Sequence, residues 1–91
     1  MTTAAAPGAD APPPQVTVRY WAAARAAAGV DTEVLSGATV ADVLARARAA
    51  HAGLAPVLQV ATVLLDGRPA TPAVRLTEGA MLEVLPPFAG G

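Results

Sequence analysis

Apolar and polar residues alternate along "QVTVRYW" (15–21), with Val16, Val18 and Tyr20 on one side and Thr17, Arg19 and Trp21 on the other. A period of two is what a strand with one buried face produces, so this stretch is expected to be a β-strand. "AAARAAAG" (22–29) follows as a short helix, closed by Gly29 as a left-handed cap. "VDTEVLS" (30–36) returns to a strand-like pattern with Val34 and Leu35 as its apolar content. In "TVADVLARARAAHA" (39–52) the period changes, because Val40, Val43, Leu44 and Ala47 recur at the spacing of one helical face. Thr39 suits its N-cap, Asp42 reaches back as a capping-box acid, and Arg46 and Arg48 suit its far end. Gly53 is expected to stop this helix, which at about 1.5 Å per residue is roughly 20 Å long.

"LAPVLQ" (54–59) is expected to be a connector, interrupted by Pro56. "VATVLL" (60–65) reads as a strand, and "DG" (66–67) as a tight hairpin turn whose two central positions favour positive φ. Pro69 and Pro72 restrict the next strand to a short edge piece. "TEG" (77–79) turns the chain into a last strand, "AMLEVL" (80–85), with Leu82 and Val84 opposite Met81, Glu83 and Leu85. One long amphipathic helix against a mostly antiparallel sheet of four to five strands makes a two-layer α+β domain over 15–85. Residues 1–14, "MTTAAAPGADAPPP", carry no apolar period and are expected to form a disordered leader. Residues 86–91 are expected to form a flexible tail.

Ninety-one residues suffice for one domain. The chain has no cysteine, which excludes disulfides, thiolate metal sites and a cysteine nucleophile and fits a reducing cytoplasm. The formal net charge is −1, without the basic footprint of a nucleic-acid binder. No basic segment precedes an apolar one at the amino terminus, and no apolar run approaches the roughly 20 residues that span a bilayer. All six basic residues are arginines. Compositional drift is one reading of the missing lysine. The other is that a chain with an activated carboxyl end cannot acylate side-chain amines it does not possess.

Side chains offer little chemistry. His51 is the only histidine, near the C-terminal end of the long helix, where a dipole-compensating or surface residue is expected in place of a catalytic one. The acidic residues are scattered over turns and caps, without the spacing of a metal cage or a carboxylate pair. Ser36 lacks a nucleophile-elbow context, and Gly67 belongs to no phosphate-cradling loop.

Attention therefore passes to "PPFAGG", which follows the last strand directly. Pro86 and Pro87 fix φ and set the direction of departure. Phe88 offers a partner one large apolar anchor. Ala89, Gly90 and Gly91 present a thin backbone suited to a narrow tunnel. At about 3.3–3.6 Å per residue, the stretch from Pro86 to Gly91 reaches roughly 20 Å. The Gly91 α-carboxylate is ionised and unreactive at neutral pH, and adenylation would activate it toward sulfur or nitrogen.

Over residues 15–91 the chain resembles the MoaD/ThiS sulfur-carrier family of ubiquitin-like β-grasp proteins, and most of all its molybdopterin-synthase small-subunit branch. The resemblance rests on "VRYWAAARAAAG", "TVADVLA", "VLLDG", "LTEGAMLEVLPP" and the terminal "AGG". Pro86–Pro87 is closer to the molybdopterin branch than to the thiamine branch, whereas Phe88 stands where relatives more often carry a smaller residue. The resemblance implies a mixed sheet of four to five strands with one main helix across it, and no bound cofactor or metal. It further implies a non-catalytic subunit whose Gly91 is adenylated by a ubiquitin-activating-like enzyme using ATP. A sulfur-donor enzyme then converts it to a thiocarboxylate. The large catalytic subunit of molybdopterin synthase, in a heterotetramer, would take the tail and pass its sulfur to cyclic pyranopterin monophosphate. Leu85, Phe88 and Trp21 would serve docking, and Arg25 matches an arginine common in the family. A carrier for thiamine, cysteine or RNA thiolation, and a ubiquitin-like protein modifier, are the alternatives.

Overall fold

The computed structural model describes residues 12–87. Its elements in chain order are β1 (Gln15–Tyr20), α1 (Ala22–Ala28), β2 (Thr32–Ser36), α2 (Val40–Ala50), α3 (Leu54–Leu58), β3 (Thr62–Leu65), β4 (Arg68–Pro69) and β5 (Met81–Leu85). The strands form one sheet in the order β2-β1-β5-β3-β4. Its pairs are antiparallel except β1 with β5, which run parallel. The sheet is thus mixed, and its centre joins the first strand to the last.

Alternation decides which side chains enter the core. Val16, Val18 and Tyr20 of β1 and Leu82 and Val84 of β5 are buried together with Ala24, Ala28, Val40, Val43, Ala47 and Leu54 of the helices. The helices therefore pack on one face of the sheet. Thr17, Arg19, Val34, Leu64, Met81, Glu83 and Leu85 have the opposite phase and form the outer face.

Helix α2 begins as expected. The Thr39 hydroxyl accepts from the Asp42 N–H, and the Asp42 carboxylate accepts from the Thr39 N–H. Two further first-turn N–H groups, of Val40 and Ala41, donate to the carbonyls of Val74 and Pro72. The long β4–β5 connection thereby serves as the other half of the cap. Gly37, just before this turn, is packed so closely that a Cβ would lie 2.8 Å from Val43 Cγ2 and 2.9 Å from the Val43 nitrogen.

The end of α2 corrects the sequence reading. It stops at Ala50 with His51 as C-cap, before Gly53, and Gly53 instead opens α3. The 54–59 connector is largely helix, because Pro56 occupies the third helical position, where an N–H has no partner within the helix. The second strand starts at Thr32 rather than 30, and the third at Thr62 rather than 60. The Asp-Gly turn has φ of 49° at Asp66 and 86° at Gly67, the left-handed pair that such a hairpin requires.

Residues 12–14 precede β1 without regular structure, and the Pro14 carbonyl accepts from the Gly37 N–H at 3.1 Å. The rest of the expected leader lies outside the described residues, as do Phe88, Ala89, Gly90 and Gly91 of the expected tail. Among the described residues, no helix is long and apolar enough to cross a membrane.

Candidate functional site

The root of the tail is the central strand of the sheet. β5 bonds to β1 on one side and β3 on the other, with Leu85 opposite Thr62 and Val84 opposite both Tyr20 and Val63. The Trp21 N–H donates to the Val84 carbonyl at 3.1 Å, the last ladder bond on that side. Pro86 has no N–H to continue the ladder. It is buried, whereas Pro87 is exposed. Leu85, for which exposure is expected from sequence, is half-buried on the outer face.

Trp21 is exposed on that face, beside the tail root. The chain crosses from β1 into α1 at Ala22, whose φ of 49° is left-handed for a residue bearing a Cβ. The Trp21 indole N–H donates to Glu83 Oε2 at 3.0 Å, and the Arg19 guanidinium lies 4.5 Å from the ring centroid. Arg19 is directly opposite Glu83 in the β1–β5 register. An aromatic held from two sides loses less conformational freedom when a partner covers it. Arg25 is separate from this group. It pairs with Asp31 at 2.9 Å, and both side chains are 65% exposed, so the pair adds little stability.

A second polar group lies beneath the sheet and was missed from sequence. Glu33 Oε2 accepts a short hydrogen bond from the Tyr20 hydroxyl and also pairs with His51 Nε2 at 2.7 Å. The Tyr20 and His51 rings meet edge to face, with centroids 6.0 Å apart. This carboxylate ties β1, β2 and the end of α2 together. His51 is accordingly half-buried, and it stands at the C-cap of α2 as its place near the helix end leads one to expect. The available signal was the phase of Glu33, which pairs with Val18 and so turns inward. A lone buried phenol also needs a partner.

Burial, followed by the hydrogen bond to Glu33 and its charge, raises the Tyr20 phenol well above its ordinary value. The folded chain therefore keeps a proton that the unfolded chain loses near pH 10, and this contribution to stability is complete below that pH. The chain has one tyrosine, no lysine and no cysteine. Unfolding free energy should fall by about 1.4 kcal/mol per pH unit above roughly pH 10. Tyr20→Phe should flatten that limb, as checked by urea denaturation across the range. An unchanged limb in the variant would assign it elsewhere.

Among the described residues, no group of His, Asp or Glu could hold a metal ion. The described geometry offers the end of a strand bonded on both sides, with an ordered aromatic patch beside it.

A family model, that of the ThiS family, matches residues 18–91. The chain belongs to the ThiS family. Members of this family are small ubiquitin-like sulfur carriers, and the mixed five-stranded sheet with its helices is their β-grasp fold. SAMP1, the small archaeal modifier protein 1 of Methanosarcina acetivorans, is 25% identical with a TM-score of 0.80, over 87% of this chain and 98% of that one. A candidate molybdopterin converting factor subunit 1 from Pyrococcus furiosus is 26% identical with a TM-score of 0.75, over 82% and 99%. Subunit 1 of the Helicobacter pylori molybdopterin-converting factor, solved in complex with subunit 2, shares the fold at 20% identity and a TM-score of 0.65, over 85% and 99%. A search of curated proteins finds no match.

Proposed function

We propose that this ThiS-family chain carries sulfur as a thiocarboxylate on Gly91 and supplies it to molybdopterin synthesis as the small subunit of the synthase. The observation that carries the reading is that the family match runs through to the last residue, Gly91, beyond a strand held on both sides. A Gly91 carboxylate oxygen attacks the α-phosphorus of ATP on an activating enzyme, and pyrophosphate leaves. Hydrosulfide supplied by a donor enzyme then attacks the acyl carbon; the C–S bond forms, the bond from that carbon to the AMP oxygen breaks, AMP leaves, and loss of the S–H proton gives the thiocarboxylate. In the catalytic subunit the thiocarboxylate sulfur bonds to a carbon of cyclic pyranopterin monophosphate as a C–O bond of that carbon breaks. Water then cleaves the resulting thioester, leaving the sulfur on the pterin and the carboxylate on Gly91.

The chain's own part is positioning. Pro86 and Pro87 aim the tail, Phe88 anchors it, and Ala89 and Gly90 let it enter a narrow channel. Trp21, braced by Arg19 and Glu83, and Leu85 give the partner an apolar contact at the tail root. Arg25, already paired with Asp31, is offered at the rim of the same end. Pro86–Pro87 and the likeness to the Pyrococcus protein favour the molybdopterin branch.

The test is intact mass after incubation with activating enzyme, ATP and a sulfur source. A gain equal to exchange of one oxygen for sulfur, with the catalytic subunit of molybdopterin synthase co-purifying, is the expected result. The likeness to SAMP1 favours one second reading, in which a target lysine amine attacks the adenylate to form an isopeptide. Adducts on target lysines, with no sulfur-exchanged species, would select it.

A further inference from the structure

The two edges of the sheet are treated differently. β4 is two residues long and one of them is Pro69, both devices that discourage pairing with another chain. β2 at the other edge runs five residues, Thr32–Ser36, with neither proline nor lysine. Among the described residues no strand lies on its outer side. The Tyr20 N–H donates to the Asp31 carbonyl and the Gly37 N–H to the Pro14 carbonyl. In an antiparallel ladder this phase turns the main-chain groups of Asp31, Glu33 and Leu35 toward β1. Those of Thr32, Val34 and Ser36 point away from the sheet. Val34, at the centre, is 61% exposed.

We propose that this edge pairs with β2 of a second copy of the chain, antiparallel about a two-fold axis at Val34. The sequence of the strand is what selects a second copy. In that register Thr32 meets the partner copy's Ser36, Val34 meets itself, and Glu33 meets Leu35. No like charges oppose each other. Every outward N–H and C=O finds its complement, and the only charged side chain of β2, Glu33, is already held by Tyr20 and His51 on the inner face. A net charge of −1 gives two copies little long-range repulsion. The contact is smaller than the roughly 1,000 Å² that a stable interface needs, so the dimer forms at high concentration and dissociates on dilution. This pairing does not use the tail and stands independently of the sulfur-carrier reading.

Sedimentation equilibrium of the full chain from micromolar to millimolar concentration tests it. The weight-average mass should rise toward twice the monomer, and the Thr32, Val34 and Ser36 amides should become protected from exchange over the same range. Val34→Pro removes an N–H that makes no bond among the described residues, so it should abolish the dimer and leave the thermal melt unchanged. Val34→Lys, which places like charges on the axis and keeps the backbone donor, should do the same if the proline variant proves unstable. A mass that stays monomeric at millimolar concentration overturns the proposal. So does protection that falls on β3 or β5 instead, or that appears only when an extended peptide from another protein is added.

Discussion

A chain ending at Ala89 is expected to melt as the full protein does and to gain no sulfur at all. The ladder of β5 ends at Leu85, five residues before Gly90, so the described sheet is complete without Gly90 and Gly91. The chemistry depends on them completely, because the reacting carbon is the final carbonyl and its reach is set by the number of residues after Pro87. Adding a single residue after Gly91 should have the same effect, as it puts a Cβ and a displaced carboxylate where the activating enzyme needs a thin end. Intact mass and a thermal melt, run on all three chains, check both halves of the expectation. Sulfur loading of the truncated chain at the full-length rate would end the carrier proposal.

The second large effect is on stability. Leu82→Ala should lower unfolding free energy by about 2–5 kcal/mol, read as a shift in the urea midpoint with an unchanged slope. Leu82 is fully buried and lies in the strand that the two halves of the sheet share. Ala24, Ala28 and Ala47 form part of the helical contribution to the core, and such small residues close poorly over a cavity. Against a total of about 5–15 kcal/mol for a natural domain, such a loss leaves a substantial unfolded fraction at growth temperature. Val34→Ala, at an exposed position outside the core, should change stability little, provided it is measured in dilute solution. A comparable loss at both sites would mean that the core is not where burial places it.

What the sequence made legible was local. The alternation in β1, the Thr39–Asp42 box, the Asp66–Gly67 turn and the apolar phase of β5 each depend on neighbours a few residues apart, and each is present as read. What escaped was set by partners far along the chain. The parallel union of β1 with β5 puts Arg19 opposite Glu83, and only then does Trp21 acquire two braces. Glu33 finds Tyr20 and His51 only after β2 and α2 have folded over β1. Pro56 misled because proline ordinarily breaks helices, although in a first turn nothing is lost. The tail was conspicuous in the sequence because two prolines, one aromatic and two glycines follow the last strand directly.

The parallel pairing of the first and last strands has a mechanical consequence. One end of the chain leaves from the start of β1 and the other from the finish of β5, so tension between them drags the two strands past one another lengthwise. The bonds joining them must then fail nearly together, not one after another as in a zipper. An enzyme hauling on the carboxyl terminus, with the far end held, would meet high resistance.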